Sequence, residues 1–113
     1  MRLVDLDPRW LMKDDKRVGF VFKSPTLGDD MWMAIYEPHP GYHELWRAIN
    51  AAFPEGKKNA KGFTRSVQTM NARQSWTVTG DTFETITVSP SLDGSPAGNW
   101  HGFIQNGNIV GGI

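Results

Sequence analysis

The pair Asn106-Gly107, set between His101-Gly102-Phe103-Ile104-Gln105 and Asn108-Ile109-Val110, constrains the fold of this chain more than any other feature. A two-residue turn between twisted antiparallel strands needs positive φ at both central positions, and Asn-Gly accepts this at little cost. The last part of the chain therefore reads as a β-hairpin. Just upstream, Trp76-Thr77-Val78-Thr79 and Thr85-Ile86-Thr87-Val88 alternate apolar and hydroxyl side chains, the pattern of half-buried strands. Gly80-Asp81 reads as the turn between them, and the Gly-, Pro- and Ser-rich stretch from Leu92 to Asn99 as a loop.

The first half carries a second hairpin and a helix. Val18-Gly19-Phe20-Val21-Phe22 and Met31-Trp32-Met33-Ala34-Ile35-Tyr36 are apolar runs of strand length, separated by Pro25, Gly28 and Asp29-Asp30. From Tyr42 to Phe53, Leu45, Ile49 and Phe53 recur every fourth residue with Trp46 beside them, while His43, Glu44, Arg47 and Asn50 take the other face. Pro54-Glu55-Gly56 ends that helix, and a Gly- and Lys-rich loop follows. The expected architecture is a small α+β fold, a mostly antiparallel sheet with one packed helix, forming a single domain over residues 1–113.

Composition removes several classes of chemistry. With no cysteine among 113 residues, disulfides, thiolate catalysis and Cys-ligated zinc are excluded, and no cofactor is expected. His39 and His43 flank Pro40-Gly41 without a nearby third ligand, so they read as surface histidines rather than a metal pair. The N-terminus lacks an apolar signal core and no apolar run reaches membrane-spanning length, which points to a soluble, cytoplasmic protein. Formal net charge is zero, yet Arg47, Lys57, Lys58, Lys61, Arg65 and Arg73 face Glu55 alone in the middle of the chain. This basic stretch reads first as a solvated loop, and contact with nucleic acid is the weaker alternative.

Reactive residue types concentrate near the end. The run from Gly80 delivers Ser91 after Pro90, and His101 follows at the start of the last hairpin. A serine hydroxyl is a poor nucleophile unless a base takes its proton, so Ser91 with His101 is a candidate nucleophile–base pair. Asp81 and Glu84 are candidates for the acid that orients such a base. Along an unbroken strand Asp81 would share the face of Ser91, and Glu84 would point the other way. The competing reading is structural: a turn serine after proline and an edge-strand histidine.

Ser75 to Ser91, followed by Trp100-His101-Gly102-Phe103-Ile104 and Asn106-Gly107, resembles a bacterial and phage family that includes the BubE-like serine peptidases of bacterial ubiquitination-like operons. The resemblance implies a serine hydrolase with Ser91 and His101 as catalytic residues, and it favours Glu84 over Asp81 as the acid. The implied activity is deubiquitinase-like: trimming a ubiquitin-like precursor at its C-terminal tail, or removing that protein from a target. The implied partner is a ubiquitin-like protein, with the gene in an antiphage operon. Asp7-Pro8-Arg9-Trp10 and Val18 to Phe22 look like the family's opening, whereas Glu37 to Gln74 finds no counterpart. Many relatives carry a Cys-Pro-x-x-Cys-like element where this chain reads Lys23-Ser24-Pro25-Thr26-Leu27, and another cysteine where it has Gly98-Asn99. Any metal those cysteines hold in relatives has no ligands here. The alternative class is a non-catalytic module that binds a peptide or protein through the same sheet.

Overall fold

The computed structural model describes residues 1–37, 42–54, 76–93 and 100–111. A 3₁₀ turn at Leu3–Leu6 leads into strand β1 (Arg9–Lys13), followed by β2 (Lys16–Ser24) and β3 (Gly28–Tyr36). Helix α1 (Tyr42–Ala52) comes next, then β4 (Thr77–Thr79), β5 (Thr87–Asp93), β6 (His101–Gln105) and β7 (Asn108–Gly111). The class is α+β, as expected. The strands, however, divide into two antiparallel sheets, ordered β1-β2-β3 and β4-β5-β6-β7.

Both tight hairpins are built on positive φ. Asn106 (49°) and Gly107 (74°) close β6–β7, matching the demand of a two-residue primed turn. Asp14 (51°) and Asp15 (63°) do the same for β1–β2, where Lys13 pairs with Lys16. Strand β1 was not anticipated, because Asp-Asp is a far weaker turn signal than Asn-Gly. β2 and β3 pair as expected, with Phe20 opposite Ile35 and Phe22 opposite Met33.

The two sheets and the helix share one core. Phe20, Phe22, Met33 and Ile35 from the first sheet meet Val88, Leu92 and Ile104 from the second and Ile86 just before β5, and Ala48, Ile49 and Phe53 join from α1 and its end. Aromatic pairs lock the layers: Trp10 stacks on Phe83 at 4.3 Å, and Phe22 meets Trp100 edge-on at 6.4 Å. Backbone contacts add to this, since Trp76 N–H donates to the Tyr36 carbonyl at 2.9 Å. Arg17 spans both sheets, paired with Glu37 and donating to the Gly80 carbonyl at 2.8 Å. On α1, His43, Arg47 and Asn50 are exposed, as the periodicity predicted. No helix among the described residues is long and apolar enough to cross a membrane.

At the end of β2 a serine closes the turn. The buried Ser24 hydroxyl accepts the backbone N–H groups of Thr26 (3.2 Å) and Leu27 (3.1 Å). A neutral side chain thus ties the turn through backbone amides.

Candidate active site

Strand β5 is longer than its alternating pattern suggests, and the reason is a bulge. Val88 pairs with Ile104 and Leu92 with Gly102, so Ser89, Pro90 and Ser91 together face the single residue Phe103. A bulge leaves residues outside the ladder, which is where a proline without an N–H fits inside a central strand. Past it the pairing resumes, with Asp93 opposite His101. The bulge also re-aims the local side chains, as bulges near functional sites do.

Ser91 and His101 come together on one face. On β5 the buried residues with described side chains are Val88 and Leu92; on β6 the buried residues are Gly102 and Ile104. Ser91 and His101 alternate with these and are half-buried on the opposite, outward face. Their positions are diagonal across adjacent strands, a relation that separates Cβ atoms by about 7 Å or less. No hydrogen bond joins the Ser91 hydroxyl to the His101 ring among the described residues. Catalytic contacts are often long before substrate binds.

Two tryptophans anchor these residues from the core side. The Trp76 indole donates to the Ser91 carbonyl at 3.4 Å, which holds the bulge against the interior. Trp100, immediately before His101, is fully buried. Its ring lies against the Cα of Gly102, where any Cβ would collide with it. The order Trp100-His101-Gly102 therefore has a physical reading: a buried anchor, an outward imidazole and a gap that admits the anchor's ring.

The expected acids lie elsewhere. Asp81 and Glu84 are exposed in the β4–β5 connection. The Glu84 carbonyl packs against Gly107, and Gly107 N–H donates to the Ile86 carbonyl at 2.8 Å. That end of the sheet is the Asn106-Gly107 turn, while His101 begins β6 at the other end. At ~3.3 Å per residue, the length of β6 separates them by about 13 Å, far beyond the reach of a carboxylate side chain. Asp81 and Glu84 therefore stand at the opposite end of the sheet from His101. Residues 80–86 lie between β4 and β5, so Asp81 is not on an unbroken strand with Ser91.

The same face carries other exposed groups. Thr77, Thr79 and Ser89 supply hydroxyls on one side, and Phe103 is 43% exposed opposite Val110 on the other. The outer edge of β7 is partly covered: Ile109 N–H donates to the Met1 carbonyl and Leu3 N–H to the Gly107 carbonyl, each at 2.9 Å. His39, the basic stretch from Lys57 to Arg73 and the segment after Asp93 lie outside the described residues.

Residues 59–111 match the family model of BubE, the bacterial ubiquitination-like system serine protease. The BubE-like segment is just under half of the 113 residues and contains β4 to β7, with both Ser91 and His101. It begins at residue 59, so part of the stretch from Glu37 to Gln74 does have a counterpart in the family. The opening of the chain, including Asp7 to Trp10, lies outside the match. No curated protein and no solved structure matches the chain.

Proposed function

We propose that this protein is a serine peptidase that cuts at the C-terminal tail of a ubiquitin-like protein. The observation that carries the reading is the β5–β6 register, which sets Ser91 and His101 on one face of the segment that matches BubE. Ser91 Oγ attacks the scissile carbonyl carbon while a His101 ring nitrogen takes its proton. The C–N bond then breaks, His101 returns the proton to the leaving amine, and an ester to Ser91 remains. Water, deprotonated by His101, hydrolyses that ester and restores the serine.

Access is from the outward face of the second sheet. Because Met1 and Leu3 already hydrogen-bond along the β7 edge, an extended tail added there would have to displace them. A tail crossing the outward face instead meets Ser89 and the exposed Phe103 beside the serine. Cleavage after a glycine-rich tail suits this site, since small residues let main chain approach the bulge closely.

The test is labelling with a fluorophosphonate probe, read by intact mass on wild type, Ser91→Ala and His101→Ala. An adduct on Ser91 that depends on His101 supports the reading. Folded wild-type protein that takes no adduct favours the non-catalytic binding module instead.

A further inference from the structure

The turn that closes β6–β7 carries a chemistry of its own. Gly107 has φ of 74°, and the Glu84 carbonyl stands where a Cβ would be, so the position takes glycine. Asn106 is exposed with φ of 49°, in the left-handed region that asparagine tolerates better than most residues. The fold thus places an asparagine directly before a glycine on the surface. In such a pair the asparagine side-chain amide is open to attack by the next main-chain nitrogen, because glycine has no side chain to hinder the approach. The same structure holds that nitrogen in place. Gly107 N–H donates to the carbonyl of fully buried Ile86 at 2.8 Å, and Asn106 N–H donates to the Thr87 hydroxyl at 2.9 Å. Leu3 N–H donates to the Gly107 carbonyl at 2.9 Å, so Gly107 is tied on both sides. Ring closure also requires Asn106 to rotate about its Cα–C bond, out of the left-handed conformation of the turn.

We propose that Asn106-Gly107 is a deamidation site, held shut by the hydrogen bonds of Gly107 to Ile86 and of Asn106 to Thr87 and exposed to reaction when the turn opens. In the open turn the Gly107 nitrogen gives its proton to solvent base and attacks the carbon of the Asn106 side-chain amide. The bond from that carbon to the amide nitrogen breaks, and ammonia leaves with a proton taken back from solvent. A five-membered succinimide then joins the two residues. Water adds to one of the two ring carbonyls and breaks its bond to the ring nitrogen. One product is aspartate at position 106. The other is isoaspartate, in which the main chain runs through the side-chain carbons and is longer by one atom. That atom shifts Gly107 relative to β6, so its bonds to Ile86 and Leu3 no longer match the pairing of Gln105 with Asn108. The change is one-way, so the fraction converted records how often the turn has opened.

The experiment compares the full chain in native buffer and in urea at one pH, as wild type, Thr87→Val and Thr87→Ser. Deamidation at Asn106 is followed by peptide mapping and mass, and exchange of the Gly107 N–H with deuterium by NMR. Folded wild type should convert at least about tenfold more slowly than the same chain in urea, the protection of a turn tied to the core rather than a frayed end. Thr87→Val removes the acceptor of one hydrogen bond, so conversion and Gly107 exchange in native buffer should both rise about 2- to 10-fold. Thr87→Ser keeps the hydroxyl and should stay within about two-fold of wild type. In urea all of these chains should convert alike. Equal rates for folded and urea-unfolded wild type overturn the proposal, and so does an Asn106 that stays intact in urea. Thr87→Val that converts at the wild-type rate also overturns it, whether or not its Gly107 exchange rises.

Discussion

The Trp100 ring occupies the space where a Cβ on Gly102 would stand, and the Val110 carbonyl lies 2.6 Å from the same point. A buried indole just before β6 and a missing side chain within it thus flank His101 on either side. Gly102→Ala forces the ring or the β7 backbone to move. It should destabilise the protein by roughly 1–3 kcal/mol, the usual cost of overpacking. Chemical denaturation measures this directly. An unchanged midpoint would mean that the ring has room to retreat.

Removing the charge at the far end of the sheet should leave the chemistry intact. Asp81→Asn and Glu84→Gln should each label at Ser91 within about two-fold of wild type, since exposed charges more than a Debye length of about 10 Å away are largely screened. A loss of 100-fold in either variant would give the orienting role to that residue.

Trp76→Phe keeps an aromatic ring in the core and deletes the donor to the Ser91 carbonyl. The lost hydrogen bond should cost about 0.5–1.5 kcal/mol in stability. Labelling should also slow several-fold, because the bulge that carries Ser91 loses its tie to the interior. Stability loss with an unchanged labelling rate would show that the bulge holds its shape without the indole.

The β6–β7 turn offers a paired test of backbone strain. Gly107 has φ of 74°, and a Cβ there would run into the Glu84 carbonyl. Gly107→Ala therefore adds a clash to the cost of a left-handed residue, about 1–2 kcal/mol for the conformation alone. Asn106, at φ 49°, meets no such cost on replacement by glycine, and Asn106→Gly should change stability by less than about 1 kcal/mol. Thermal unfolding of the two variants should separate them clearly.

Local patterns carried much of this fold. Ile49 and Phe53 are buried on the side that their spacing indicated, and the Asn-Gly hairpin has the expected turn. What the chain concealed was non-local. Alternation stops at Val88 because Pro90 interrupts it, and only pairing with β6 carries the strand on to Asp93. Asp93 is therefore the last residue of a strand, although Leu92 to Asn99 has the composition of a loop. Ser91 and His101 could be nominated from residue type and resemblance, but their shared face depends on the bulge, which no local propensity encodes. Division into two sheets was hidden for a similar reason. It is set by aromatic contacts such as Trp10 with Phe83, distant in sequence.

The bonds of Met1 and Leu3 to the β6–β7 hairpin have a consequence for the sheet edge they cover. A terminal strand with unmet amide and carbonyl groups is a template for another copy, and Phe103 and Val110 would add an apolar incentive on the adjoining face. The first three residues act as a selvedge, finishing the fabric so that it does not knit to its neighbour. Displacing them should turn a self-contained sheet into one that grows.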